Sequence, residues 1–261
     1  EGRIVFSRGS DVPGEFSGIC VMRADGENEK ELIFGGYGPA WSPDGTQIAF
    51  RRYTDDDNWN NIFVMYADGS KVRQLTESAG AEDDYPAWSP DGKQIAFSVF
   101  QDGCCAVNVV DVETHTRRCL SSGKRHEIAG CWSRDGTWLY YNFHCGSEWQ
   151  IWKMSPEGED KQAVVSGRYT LLEETPQRAS LVGLHYDEPG LWLLPLDGSP
   201  RECLVDAARL VGWVCVCPAD GGAHFIGRIP QGRCLGFYDF SSGHADTLAI
   251  LPAGASCLSM A

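Results

Sequence analysis

Hydrophobic positions along this chain fall into short runs that are separated by turns rich in aspartate and glycine. Typical runs occupy residues 62–65, 106–110, 151–154 and 191–194. They are rich in β-branched and aromatic residues, and none has the 3.6-residue period of an amphipathic helix. Runs of this kind are typical of half-buried β-strands. The pattern therefore predicts an all-β protein.

The turns between the strands recur at a nearly constant interval. Five end at Gly26, Gly69, Gly158, Gly198 and Gly243, and Thr114 occupies the remaining position. Successive spacings are 43, 45, 44, 40 and 45 residues. A period in the low forties that is built from short strands is typical of a β-propeller, in which each repeat is a four-stranded antiparallel blade. We therefore predict one six-bladed domain over residues 1–261, with strands a to d in each blade.

A second motif precedes strand b of each blade. Residues 41–45 read Trp-Ser-Pro-Asp-Gly, residues 88–92 repeat them, and residues 132–136 differ only by an arginine. Degenerate copies occupy residues 174–178 and 217–221. An aspartate can accept hydrogen bonds from its own turn, and a glycine tolerates positive φ. We therefore interpret these aspartates as turn formers and not as ligands.

The two ends of the chain predict how the ring of blades closes. The sequence starts directly with a strand b at residues 3–6, without a preceding strand a. Residues 255–260 lie where a further strand a would fall. We expect this last strand to complete the first blade, which removes open sheet edges.

The repeated residues Trp-Ser-Pro-Asp-Gly, together with Ile-Ala-Phe at 48–50 and Val-Met-Tyr-Ala-Asp-Gly at 64–69, resemble the TolB-type (PD40, WD40-like) β-propeller family. The resemblance covers the full length and is strongest over residues 36–158. It implies a six-bladed propeller without a cofactor. TolB binds a lipoprotein in the bacterial envelope, so the resemblance also implies a protein partner and an extracytoplasmic compartment.

Two acidic clusters are the main candidate for a binding site. We predict that the first lies in the b-to-c loop 53–60 and the second in the connection 78–85, so that both reach one face of the propeller. Further loops of this face are predicted at residues 101–105 and 143–148. The predicted site consists of these carboxylates and nearby aromatic residues: Tyr53, Asp55, Asp56, Asp57, Trp59, Glu82, Asp83, Asp84, Tyr85 and Phe100. Aromatic residues are enriched at the centres of protein interfaces. The site is interpreted as a docking surface for a basic protein or peptide segment. The alternatives are a solvated acidic rim and a calcium site.

Composition excludes several other functions. With 36 acidic and 22 basic residues, the net charge of −14 repels nucleic acid, and the compact basic clusters are only residues 117–118 and 124–126. The longest apolar stretch, residues 210–219, is too short to span a bilayer. No catalytic motif is present, so we predict a non-enzymatic binding module. The alternative is a metal-dependent hydrolase or lyase, or a peptidase-gating propeller, with its site in the central channel.

The cysteine content leaves the compartment open. None of the 11 cysteines forms a C-x-x-C pair. We interpret most of them as buried, reduced, apolar residues, which favours a cytoplasmic location. The alternatives are disulfides, which favour an extracytoplasmic location, and a zinc site. The chain is expected to be a monomeric domain of a larger polypeptide or complex.

Overall fold

The computed structural model describes residues 2–8, 18–54, 59–175, 179–206, 210–217, 221–229, 232–251 and 255–260. Within these ranges the chain forms twenty-four β-strands and no helix. The strands are arranged in six four-stranded sheets. This arrangement confirms the blades that the repeat predicted, since the number and order of the strands agree and the described residues contain no helix.

The chain divides into two compact units, and the first comprises Ala40–Thr170. It contains most of three sheets, the first strand of which begins before the boundary, at Gly36. Each sheet keeps the order of the sequence, and neighbouring strands are antiparallel. The sheets are β4 (Gly36–Trp41), β5 (Gln47–Tyr53), β6 (Asn60–Tyr66) and β7 (Arg73–Gln74); β8 (Glu82–Trp88), β9 (Gln94–Gln101), β10 (Cys104–Asp111) and β11 (Arg117–Cys119); and β12 (Glu127–Trp132), β13 (Leu139–Cys145), β14 (Glu148–Met154) and β15 (Gln162–Ser166).

The second unit comprises Glu1–Pro39 and Leu171–Ala261. It also contains three four-stranded antiparallel sheets. They are β1 (Arg3–Arg8), β2 (Gly18–Arg23), β3 (Lys30–Phe34) and β24 (Ala255–Met260); β16 (Tyr169–Glu174), β17 (Ser180–His185), β18 (Gly190–Pro195) and β19 (Glu202–Asp206); and β20 (Leu210–Cys217), β21 (Gly222–Ile229), β22 (Gly232–Asp239) and β23 (His244–Ile250).

The last strand completes the first sheet, as the sequence predicted. β24 pairs antiparallel with β1 over Ile4↔Met260 to Arg8↔Ala255, with a register shift between Phe6 and Ser7. The order in this sheet is β24-β1-β2-β3. One blade is therefore built from both ends of the chain, and β1 is an interior strand.

Hydrophobic cores lie between successive sheets because both faces of the inner strands are apolar. In the first unit, Ile62 and Val64 of β6 pack against Ile95 and Phe97 of β9. In the second unit, Phe6 of β1 packs in one cluster with residues of β21 and β22. A strand that is buried on both faces has a nearly continuous run of apolar residues, which explains why these strands could be recognised in the sequence.

Several connections are shorter than the sequence suggested. β8 begins at Glu82, so the predicted connection 78–85 ends four residues earlier than expected. Asp102 and Gly103, both at positive φ, join β9 to β10 directly. A two-residue Asp-Gly turn matches the twist of an antiparallel hairpin, so the predicted loop 101–105 is a tight turn. The predicted loop 143–148 is likewise reduced to residues 146–147.

Candidate functional site

The repeated Ser-Pro-Asp-Gly turns are structural. In the first one, the Ser42 hydroxyl donates to Asp44 Oδ1 at 2.6 Å, and the Thr46 amide donates to the same oxygen at 3.1 Å. The Gln47 amide donates to Ser42 Oγ at 2.9 Å, which starts strand β5. The hydroxyl of Ser42 is the largest of the influences that lower the pKa of Asp44. These bonds occupy the aspartate, so it is a turn former, as predicted.

The same arrangement recurs in the next two blades. Ser89 donates to Asp91 at 2.7 Å, and Ser133 donates to Asp135 at 2.6 Å. The pKa of Asp91 is lowered, and that of Asp135 falls to about 2, with the serine hydroxyl as the leading cause in both. The tryptophans of these motifs connect neighbouring sheets: Trp88 Nε1 donates to the Ala40 carbonyl and Trp132 Nε1 to the Ala87 carbonyl, both at 3.1 Å.

The first acidic cluster of the predicted site, Asp55, Asp56 and Asp57, lies outside the described residues. The residues on either side of it are described. Tyr53 ends β5 and is 46% exposed, while Trp59 precedes β6 and is 36% exposed. The Thr54 amide donates to the Trp59 carbonyl at 3.2 Å, which closes the base of this loop. Two large aromatic side chains therefore flank the loop and face solvent.

The second acidic cluster begins strand β8 instead of occupying a loop. Asp83 is fully buried and accepts a hydrogen bond from Ser78 Oγ at 2.7 Å. Arg117 Nη1 donates to the same hydroxyl at 2.6 Å, and the Ser78 amide donates to Asn61 Oδ1 at 2.9 Å. Ser78 thus links Asp83 to Arg117 of β11 and Asn61 of β6. Glu82, by contrast, is only partly buried.

Asp84 connects this strand to the neighbouring sheet. Arg51 Nη1 of β5 forms an ion pair with Asp84 Oδ2. The Tyr85 amide donates to Asp84 Oδ1 at 2.7 Å. Burial raises the pKa of Asp84 to about 6, although Arg51 acts in the opposite direction. Since Tyr53 follows Arg51 by two residues in β5, this ion pair holds the end of β5 beside the start of β8.

Tyr85 has an unusual backbone conformation. Its φ is +55°, in the left-handed region that few residues other than glycine adopt. The equivalent residue of β4 is Gly38, at φ +58°. The Tyr85 side chain is 40% exposed, and its ring lies 6.2 Å from that of Phe100, centroid to centroid. Strained conformations of this kind cluster at functional sites. The structure thus brings together Asp84, Tyr85 and Phe100 of the predicted set.

Glu127 is a comparable buried carboxylate that the sequence reasoning missed. It begins β12 at 3% exposure and accepts hydrogen bonds from the Ser122 amide at 3.1 Å and hydroxyl at 3.3 Å. Ser78 and Asp83 have the same spacing of five residues. This repeated serine-to-acid spacing was the signal in the sequence that could have identified both carboxylates as structural.

The cysteine interpretation holds for part of the described set. Cys20, Cys105, Cys131 and Cys234 are buried, and burial raises the pKa of the Cys105 thiol to about 12. Such a thiol stays protonated and inert at neutral pH. Cys119 and Cys203 are exposed. Both occupy short outer strands, β11 and β19, that have one solvated face.

The described part of the chain contains no group of three or more histidine, cysteine or acidic residues placed to hold a metal ion. It also contains no helix that is long and apolar enough to cross a membrane. The calcium alternative involved both acidic clusters, and the first of them, residues 55–57, lies outside this part.

Comparisons with known proteins agree with the geometry. The family model described as TolB beta propeller domain matches residues 2–184. The chain is similar to the solved structure of TolB from Acinetobacter baumannii, with a TM-score of 0.84 and 17% identity over all of this chain and 66% of that one. No curated protein is detectably similar in sequence.

Two other solved structures are similar in fold. A nidogen/laminin complex gives a TM-score of 0.77 at 11% identity, covering 100% of this chain and 98% of that chain. A structure from a study of two prolyl endopeptidases gives 0.59 at 15% identity, covering 98% and 42%. At these identities the likeness concerns the fold alone. It confirms the predicted class, an all-β six-bladed propeller.

Proposed function

Because the chain belongs to the TolB beta propeller domain family, we propose that it is a non-enzymatic module that binds a protein or peptide. The binding surface is the side of the first unit that carries the β5–β6 loop and the start of β8. The observation that supports this proposal most directly is Tyr85, a bulky, solvent-exposed aromatic residue held at positive φ. A left-handed conformation at a tyrosine costs energy, and residues that carry such a cost are concentrated at functional sites.

Tyr85 does not stand by itself on this surface. Tyr53 and Trp59 flank the neighbouring loop with exposed rings, and Phe100 supports the Tyr85 ring from β9. Tyrosine and tryptophan supply most of the large energetic contributions at protein interfaces. The three acidic residues 55–57 lie between Tyr53 and Trp59 in the sequence, so the partner segment is proposed to be basic. The nidogen/laminin structure, one of the similar folds, is a protein complex, which is consistent with a binding role.

The burial of Asp83 and the ion pair of Asp84 refine which acidic residues are proposed to contact the partner. Both carboxylates are engaged within the fold, so replacing them would perturb β8 itself. Glu82 and residues 55–57 are the acidic positions proposed to meet a basic segment. A variant with asparagine at 55, 56 and 57 is therefore the appropriate charge test.

The experiment is site-specific photo-crosslinking. A photoreactive phenylalanine analogue replaces Tyr85 in one variant and Tyr66 in a control. Tyr66 is equally exposed, at 43%, but ends β6 at the opposite end of the strand from the proposed surface. A partner that crosslinks at Tyr85 and not at Tyr66 supports the proposal. Equal crosslinking at both positions, or none at Tyr85, contradicts it.

The partner identified in this way then allows affinity measurements. Tyr85→Ala is expected to weaken binding by about tenfold or more, as for a central aromatic interface residue. The asparagine triple variant should reduce the salt dependence of binding, since fewer charges contribute. Unchanged affinity in both variants would exclude this surface.

A second candidate function is a propeller that gates a peptidase. It is supported by the similarity to prolyl endopeptidase structures, of which this chain covers 42%. In that case a catalytic domain would lie elsewhere in the parent polypeptide. A panel of peptide substrates and metal analysis, applied to the full-length protein, distinguishes the two functions: turnover favours the second.

A further inference from the structure

A compact group of basic and aromatic side chains lies in the first unit, apart from the acidic surface. It consists of Arg125, His126, His144, Trp149 and Arg168, which we call the basic aromatic patch. The His144 ring lies 4.7 Å from the Trp149 ring, and the His126 ring lies 6.3 Å from it, centroid to centroid. The Arg168 guanidinium lies 4.6 Å from the centre of the Trp149 ring, and the Arg125 guanidinium lies 5.7 Å from the centre of the neighbouring Phe143 ring.

Backbone hydrogen bonds hold the segments that carry the patch. The Cys105 amide of β10 donates to the Arg125 carbonyl at 3.3 Å, and the His144 amide of β13 donates to the His126 carbonyl at 3.0 Å. The Gly167 amide donates to the Trp149 carbonyl at 2.8 Å, directly before Arg168. These segments are anchored to strands, so the backbone that carries the rings and guanidinium groups is held in place before any ligand binds. Such preorganisation lowers the entropic cost of binding.

The local charge is opposite to that of the whole chain. Lys124 and Arg125 are exposed and adjacent, and Arg168 adds a third cation beside Trp149. Two acidic residues flank the patch in sequence. Glu127 is buried and engaged by Ser122, whereas Glu148 is exposed at the start of β14. The net charge of −14 already favours solubility, so the local group of basic side chains is not needed for that purpose.

We propose that the basic aromatic patch is a docking surface for an acidic peptide segment of a partner protein. Charge complementarity carries the argument, because guanidinium groups present several N–H donors in a plane that matches carboxylates. The rings supply flat apolar area on which the peptide backbone and aliphatic stems can lie. Arg125 lies over the Phe143 ring and Arg168 over the Trp149 ring, so the two guanidinium groups occupy different rings, which suits several carboxylates along a peptide better than a single phosphate. The proposal does not depend on the acidic surface described above.

The test measures the anisotropy of two fluorescein-labelled peptides on the intact protein. One alternates glutamate with leucine and glycine, and the other carries lysine in place of every glutamate. The acidic peptide is expected to bind and the basic peptide is not. The double variant Arg125→Gln/Arg168→Gln should weaken binding of the acidic peptide by about tenfold or more, which is about 1.4 kcal/mol.

A matched control removes the same charge elsewhere. Arg118→Gln/Arg134→Gln replaces two exposed arginines, one on β11 and one in the turn before β13, outside the patch. It should change the affinity by less than about twofold, because distant surface charges are largely screened by salt. Melting curves of both double variants show whether either has lost its fold. Trp149→Phe tests the ring separately and should weaken binding while leaving the charge unchanged.

Several outcomes would overturn the proposal. Equal binding of the two peptides, or no binding of the acidic peptide at millimolar concentration, excludes an acidic-peptide surface. Equal loss in both double variants indicates a non-specific charge effect. Displacement of the peptide by millimolar inorganic phosphate assigns the patch to small anions. Tighter binding of a single-stranded oligothymidylate that is lost in the same variant assigns it to nucleic acid.

Discussion

Asp84 is expected to make the stability of this protein fall as the pH rises from about 4 to about 6. Its carboxylate is 13% exposed and forms an ion pair with Arg51, which is itself only 32% exposed. Burial nevertheless raises its pKa from 3.8 to about 6. The desolvation of the carboxylate therefore outweighs the attraction of the arginine, as is common for buried ion pairs.

The sign of the effect follows from proton binding in the two states. Between pH 4 and pH 6 the folded protein keeps Asp84 protonated, whereas the unfolded chain has released the proton. The folded state then binds more protons, so the free energy of unfolding decreases with rising pH in this window. At about 1.4 kcal/mol per pKa unit, the change from 3.8 to about 6 corresponds to a loss of about 3 kcal/mol. Above this window the contribution of Asp84 is constant.

The assay compares wild type with Asp84→Asn by urea unfolding at several pH values from 4 to 7.5. Asparagine cannot ionise, so the variant should lack the decrease that Asp84 causes. Glu173, whose pKa burial raises to about 7, contributes a similar decrease in both proteins and cancels in the difference. Asp91→Asn is the control, because the pKa of this exposed turn residue is lowered and its contribution is lost only below about pH 4.

The reasoning is refuted by a specific result. If the difference in free energy of unfolding between wild type and Asp84→Asn is the same at pH 4.5 and pH 7, burial does not raise the pKa of Asp84. Extending the series to pH 3 identifies a pKa that Arg51 lowers, because the difference would then change only below about pH 4 and in the opposite direction.

Two further predictions concern how sheets are joined. Trp132→Phe removes the hydrogen bond to the Ala87 carbonyl and should lower the free energy of unfolding in urea by about 1–3 kcal/mol. Trp138→Phe, at a ring that contacts Lys153, is the control. Equal losses in the two variants would mean that the hydrogen bond of Trp132 does not contribute. Deletion of residues 255–261 removes β24 from β1 and should abolish cooperative thermal unfolding followed by circular dichroism, whereas an unchanged melting curve would show that this pairing is dispensable.

The blades and their turns were predictable because their determinants are close in sequence. Ser42 and Asp44 are two residues apart, and so are Ser89 and Asp91, so the bonds that shape each turn are present in any five-residue window. The tight turn at Asp102-Gly103 also had its signal in the sequence, and our prediction of a longer loop overlooked it. The repeat strengthened the prediction of the fold, since a single period accounted for nearly all of the strands.

The roles of the acidic residues could not be predicted in this way. Asp84 pairs with Arg51, which is 33 residues away in the sequence. Asp83 is bonded to the Ser78 hydroxyl, which also accepts a hydrogen bond from Arg117, 39 residues from Ser78. A run of charged residues predicts a solvated loop unless the residues that pack against it are known. The same holds for the basic aromatic patch, whose members come from separate strands and connections.

Local hydrogen bonding and the alternation of apolar residues thus specify the strands, the turns and the number of blades, because each is decided by neighbours along the chain. Which carboxylates are buried, which rings remain exposed and which cations gather beside Trp149 depend on packing between strands that are far apart in sequence. Only the folded sheets bring those groups within contact distance, and only there do desolvation and ion pairing act on them.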